Sequence, residues 1–287
     1  AYSEGTTSEQ NTIKNRSSFA TVDQHSSNTM HPYELVNLHK AHSFKSGSTT
    51  LTGNGKTIHI SDGAFNQNHA SFAGKTISMI SSSPTVSTST GDHGTHVAST
   101  AAGVIGGTTH GVAPDADIAY SYFNNSSGGK SISLNRAEAL DSARINNSAI
   151  ASNNSWGPCD AVSGPNCTSA YTYNELATEA ANNGRNIREQ FAALNGGTTD
   201  AATYITAMDN FQDSGVIVYA NSNFSSDTDA SYFAALPFYF NGTTVSVDLS
   251  DAWISVMYAE FTGTSLSGAS TSDFSRQGNP CGSAKEW

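Results

Sequence analysis

Apolar residues in this chain come in short runs separated by polar stretches, and the runs follow two different periods. Lys56-Thr57-Ile58-His59-Ile60-Ser61 and Val216-Ile217-Val218-Tyr219-Ala220 are rich in β-branched and aromatic residues and sit next to the turn signals Gly53-Asn54-Gly55 and Ser214-Gly215, so both read as strands. Val97, Ala101 and Val104 recur instead at helical spacing, which predicts a helix that begins near His93 and buries that face. Leu134, Ala137 and Leu140 do the same and predict a helix over 134–145, with a strand over 148–152 behind it. Further helices are expected over 32–41, 170–182, 187–194 and 201–212. Further strands are expected over 76–80, 117–122 and 245–248, that over 117–122 as a buried parallel strand. Residues 1–30 are polar and show no periodic apolar pattern, so they read as a peripheral arm.

At 287 residues the chain is long enough for one large α/β domain with a real core. Only 13% of residues are charged and the formal net charge is −11. Nucleic acid and anionic membrane surfaces both call for clustered Lys and Arg, so neither is an expected partner. No apolar run is long enough to span a bilayer. The opening Ala1-Tyr2-Ser3-Glu4 carries no Met and no signal peptide, and a processed or excerpted product is expected. Of the three cysteines, Cys159 and Cys167 lie in a Gly/Pro/Ser loop. They can close a small ring, which implies an oxidising compartment, or stay as two buried thiols.

Candidate chemistry centres on Gly91-Asp92-His93-Gly94-Thr95-His96-Val97-Ala98. An imidazole at the start of a buried helix faces unpaired backbone N–H groups, which disfavour its protonated form and suit it to act as a base. Upstream, the strand 56–61 ends on Asp62 and then Gly63. Carboxylates at the carboxyl ends of strands in open α/β sheets point into the ligand crevice. Together with His110-Gly111-Val112-Ala113-Pro114, these segments resemble the subtilisin-like serine peptidases, whose Asp, His and His-Gly-Val-Ala-Pro motifs occur in this order.

The resemblance implies a mostly parallel sheet with helices on both faces, incomplete at its C-terminus, spanning 31–287 with an insertion at about 158–199. It implies a serine endopeptidase in which Asp62 orients His93 and Asn223, at the end of Val216-Ile217-Val218-Tyr219-Ala220-Asn221-Ser222-Asn223, donates to the oxyanion. Ser222 stands where the family has glycine. Asn154, Ser155, Trp156 and Gly157 resemble the segment that lies alongside the substrate backbone, and Trp156 hints at an apolar or aromatic preference. The expected partners are a protein or peptide substrate and the C-terminal remainder of the domain.

That remainder is expected because the nucleophile is missing. Gly263-Thr264-Ser265 invites the match, yet Gly268, Gly278, Asn279 and Pro280 interrupt the helix that must follow. The nucleophilic serine is therefore placed beyond Trp287. The segment from Cys281 to Trp287 resembles the secreted, autotransporter-type subfamily. On that likeness the partner of Cys281 also lies past Trp287, and the protein works on the extracellular side of a bacterium, secreted or at the cell surface. No cofactor is required; a structural calcium ion is compatible with the family, with no ligand identifiable. A metal site of His93, His96, Asp62 and Asp92 is the first rival, disfavoured because no carboxylate stands at His-Glu-x-x-His spacing. A non-catalytic surface or structural module on the same scaffold is the second.

Overall fold

The computed structural model describes residues 2–20, 32–82, 93–106, 110–159, 169–240, 247–263 and 274–277. Its centre is a six-stranded sheet of β1 (Thr57–Asp62), β2 (Ile77–Met79), β3 (Asp117–Tyr122), β4 (Ala149–Asn154), β5 (Val216–Ala220) and β6 (Trp253–Val256). The order is β2-β3-β1-β4-β5-β6 with every neighbouring pair parallel. All six carboxyl ends therefore meet at one edge, where open α/β sheets build their sites.

The helices are α1 (Thr7–Lys14), α2 (His93–Ala102), α3 (Ile132–Asn147), α4 (Tyr173–Asn182), α5 (Ile187–Leu194) and α6 (Thr198–Gln212). On one sheet face, Ile60, Ile118 and Tyr120 pack against Ala98 and Ala102 of α2. The opposite face packs Ile217 and Tyr219 against Leu140 of α3 and Ile205, Met208 and Phe211 of α6. Each such large side chain taken fully out of water contributes about 1.5–3 kcal/mol. Among the described residues, α2 lies against this face at β1 and β3, and Ile77 and Met79 of β2 pack against the same cluster. Further along the same face, Ile254 and Val256 of β6 remain 49% and 46% exposed, aligned with Val218 and Ala220 of β5.

Three expectations change. The N-terminal arm contains α1, which opens on a capping box of Thr6 and Glu9. No apolar period announces it, since Ile13 is its one apolar residue; Ile13 and Phe19 bury with Tyr33 and Leu38. The helix expected over 32–41 is broken at Asn37, which adopts a left-handed φ of 55°, into Pro32–Leu35 and Leu38–Ala41. The strand expected over 245–248 is found later, at Trp253–Val256. Val247 and Asp248 lie outside any strand, and 245–246 fall outside the described residues. Within the expected insertion, Leu176 of α4 and Phe191 of α5 are fully buried in the main core.

Candidate active site

Asp62 ends β1 at the carboxyl edge, 1% exposed. Its backbone is pinned by the Phe123 N–H, which donates to the Asp62 carbonyl at 3.0 Å. Its Oδ1 accepts from the Gly63 N–H and from His93 Nδ1, both at 2.6 Å. Oδ2 is buried with no partner among the described residues. The His93 side chain, by contrast, is 62% exposed. One imidazole nitrogen is thus held by a buried carboxylate while the ring faces solvent.

The sequence motif around His93 follows from this contact. A Cβ on Gly94 would stand 2.7 Å from the Ala64 carbonyl oxygen and 3.0 Å from the Tyr120 hydroxyl, so glycine lets α2 start against the turn that follows Asp62. Thr95 Oγ1 accepts from the Asn66 N–H at 2.8 Å and ties the same turn to the helix. A Cβ on Gly111 would fall 2.2 Å from the Gly103 nitrogen, which explains the glycine of the His110-Gly111 turn behind the helix. His110 is itself buried, its Nε2 3.2 Å from His42 Nδ1.

The electrostatics overturn one expectation. The hydrogen bond to Asp62 raises the His93 pKa above the usual imidazole value; burial opposes this and the charge of Asp62 adds to it. The direction is therefore opposite to the one expected from the helix start, and its cause is the Asp62 carboxylate.

Among the remaining site residues, the structure separates walls from ties. Asn154 is buried, its Nδ2 donating to the Val218 carbonyl at 3.3 Å and to Ser152 Oγ at 3.2 Å. It stitches β4 to β5, and its amide points into the sheet. Ser155 Oγ accepts from Asn153 Nδ2 at 2.8 Å. Trp156 is stacked on Phe123 at 5.1 Å and edge-on to Phe233 at 5.1 Å, and Gly157 is exposed. These two line a cavity of about 330 Å³ beside the carboxyl edge.

Asn223 is exposed on the loop after β5, and no hydrogen bond joins it to Asp62 or His93. Its loop is anchored by fully buried Asn221, whose Oδ1 accepts from the Ser231 N–H at 2.8 Å. Ser222 between them has a φ of 95°, a conformation that costs a residue with a Cβ and not glycine. Asp92, Cys167, Cys281 and Ser265 lie outside the described residues, so the four-ligand metal reading, the cysteine pairings and the Ser265 match are not placed. Among the described residues no three His, Cys, Asp or Glu side chains gather as a metal site, and no helix is long and apolar enough to cross a membrane. Phe123 and Arg136 were not singled out from sequence, and Asn221 stands out there only as a departure within the 216–223 segment, not as the loop's anchor. For Arg136 a signal exists, since Ile132, Arg136 and Leu140 share one helical stripe.

The subtilase family model matches residues 53–287, and the chain belongs to that family of peptidases. No curated protein matches it. Among solved structures, it is similar to a mutant of the protease domain of PatA at 19% identity and a TM-score of 0.48, over 82% of this chain and 65% of that one. It is similar to the MycP3 protease of the type VII (ESX-3) secretion system at 18% and 0.42, over 73% and 50%. It is also similar to the subtilisin-like protease Apa1 of the Antarctic psychrotroph Pseudoalteromonas sp. AS-11 at 19% and 0.37, over 65% and 35%. The chain thus spans less than two thirds of each of these structures. Its own six-stranded parallel sheet flanked by helices has the subtilisin-like form.

Proposed function

We propose that this protein is a serine endopeptidase whose general base is His93, oriented by Asp62, and whose nucleophile is a serine beyond Trp287. The observation that carries the reading is the 2.6 Å bond from His93 to a buried carboxylate with the ring open to solvent. In the first step the serine hydroxyl attacks a peptide carbonyl carbon while His93 Nε2 takes its proton. Asp62 fixes the tautomer through Nδ1–H and stabilises the imidazolium. The tetrahedral oxyanion is held by the Asn223 amide. His93 then returns the proton to the leaving amine, the acyl bond is hydrolysed by water, and the serine is regenerated. Ser155, Trp156 and Gly157 run beside the substrate, with Asn154 holding their strand in place.

A helix carrying that serine has a place to sit. The half-buried sheet positions Val218, Ala220, Ile254 and Val256 lie on the same sheet face as Asp62 and α2, beyond β4, and their apolar side chains suit a buried helix. A disulfide ring from Cys159 to Cys167, a further bond from Cys281, and secretion to the extracellular side of a bacterium in the autotransporter manner complete the proposal. A structural calcium ion is compatible with it. The replacement of the family glycine by Ser222 motivates the second reading, a non-catalytic module on the subtilase scaffold.

The two readings separate in one experiment. Protein extended past residue 287 is incubated with a serine-directed phosphonate, the modified residue is mapped, and peptide hydrolysis is followed with and without chelator. A label beyond residue 287 and chelator-insensitive hydrolysis are expected. Asp62→Asn is expected to lower kcat by about four orders of magnitude, the size seen when a triad Asp becomes Asn. Because Asp62 raises the His93 pKa, the acid limb of kcat/KM is expected above the free-imidazole value and should move down in Asp62→Asn. An unlabelled, inert protein would establish the scaffold reading.

A further inference from the structure

We infer that the cavity between Phe123, Arg136 and Trp156 seats an acidic side chain of the bound peptide, with Arg136 as its counter-ion. This rests on the peptidase reading and adds a specificity to it. The cavity holds about 330 Å³, within the range of ligand pockets. Its walls grow from the same sheet edge as the site. Phe123 directly follows β3 and donates its N–H to the carbonyl of Asp62, while Trp156 and Gly157 follow β4.

Arg136 enters from α3. Its Nε donates to the Phe123 carbonyl at 2.7 Å, and its guanidinium carbon lies 4.1 Å from the Trp156 ring centroid, 5.5 Å from Phe233 and 5.9 Å from Phe123. The rings hold the fork in one orientation, and neither Nη is sealed off from solvent without a partner. Among the described residues no Asp or Glu lines the cavity. Among the same residues Arg136 makes no ion pair with a carboxylate, and its one side-chain hydrogen bond in the structure is that from Nε to the Phe123 carbonyl. In a chain of net charge −11, an arginine kept clear of acids and fixed by aromatic faces is preorganised for a carboxylate, which its planar fork can bind through two hydrogen bonds. Partial burial shields that pair from salt more than a surface pair. Trp156, with its faces already occupied by Phe123 and Arg136, serves as a wall, which replaces the aromatic preference expected from its presence in the sequence.

The test uses labelled hexapeptides identical except for Glu, Gln or Lys walked through each position, titrated by fluorescence anisotropy against His93→Ala protein extended past residue 287, so that the site is whole and none is consumed. At one position Glu is expected to bind about tenfold tighter than Gln, as for a charge-assisted pair in a partly buried site, with Lys the weakest. Arg136→Gln is expected to remove the Glu preference and Arg136→Lys to keep part of it. Raising NaCl from about 0.05 to 0.5 M is expected to shrink it. Equal binding of Glu and Gln peptides at every position overturns the inference, whether or not the Arg136 variants fold, and leaves the peptidase reading standing. A Glu preference that survives Arg136→Gln also overturns it, since Arg136 is then only a packing pin for the rings. A set in which no peptide binds at all overturns the peptidase reading and the inference together.

Discussion

At the scale of single residues, the molecule accepts local cost where the site needs a particular backbone. Ser222 is held at a φ of 95° between Asn221, which anchors the loop through the Ser231 N–H, and Asn223. Strain of this kind costs about 1–3 kcal/mol for a residue with a Cβ. Glycine removes the clash but brings back some unfolded-state entropy. The strain is the larger effect here, so Ser222→Gly is expected to stabilise the protein by about 1 kcal/mol, read as a higher urea midpoint at unchanged m. A neutral or destabilising result would mean that the Ser222 side chain makes a compensating contact. That Ser222 departs from a glycine pattern was visible in the sequence. That it nevertheless adopts the glycine conformation was not, because φ is imposed by the anchored residues around it.

At the scale of elements, the start of α2 shows which of two opposed effects wins. Helix propensity alone favours alanine over glycine at position 94 by about 1 kcal/mol. Contact at 2.7 Å with a carbonyl oxygen of the turn after Asp62 opposes it, and neither backbone can give way without moving the other. Overpacking costs typically 1–3 kcal/mol, so Gly94→Ala is expected to be net destabilising and to push His93 away from Asp62. The check is paired: chemical denaturation for stability, and the His93 titration by NMR, whose raised pKa should fall back toward 6.5. A stabilised variant with an unchanged titration would show that α2 can slide along the sheet. The element pattern itself was legible wherever a period was clean: Val216–Ala220 and Ile187–Leu194 have the predicted bounds. It failed where one residue anchors an element, as Ile13 does in α1, and at β6, where the preceding Val247-Asp248 resembled a strand but packs outside the sheet.

For the whole molecule, buried histidines set the response to acid. His59 lies in the middle of the sheet, its ring nitrogens each 2.9 Å from a hydroxyl, Ser152 and Ser121. Burial lowers its pKa from 6.5 to about 4. The unfolded chain takes up this proton near pH 6.5 and the folded one only near 4. Stability is therefore full above pH 6.5 and is lost as pH falls through that window, by on the order of 3 kcal/mol for this group. His110 is lowered to about 4 as well, by burial first and by His42 second. His93 acts with the opposite sign: its raised pKa adds stability below the unfolded value, and this is lost as pH rises through the folded one. His59→Leu is expected to flatten the stability profile between pH 6.5 and 4, as measured by denaturant unfolding at a series of pH values. A profile as steep as that of the parent would place the acid sensitivity elsewhere.

The order of Asp62, His93 and the His110 turn, and the small residues that let α2 approach the sheet, were present in the sequence because close packing and chemistry each restrict a position to very few residue types. Contacts across the sheet were not. The sequence contained Arg136 and Trp156 as one helix residue and one loop aromatic, and only the parallel order β3-β1-β4 brought them to one cavity. In the same way it contained two remote titratable groups, and only the turn after β1, meeting the first turn of α2, made them a hydrogen-bonded pair. Periodicity reports how an element faces the core, whereas pairing between strands depends on which elements become neighbours, and that is decided by the packing of the whole chain.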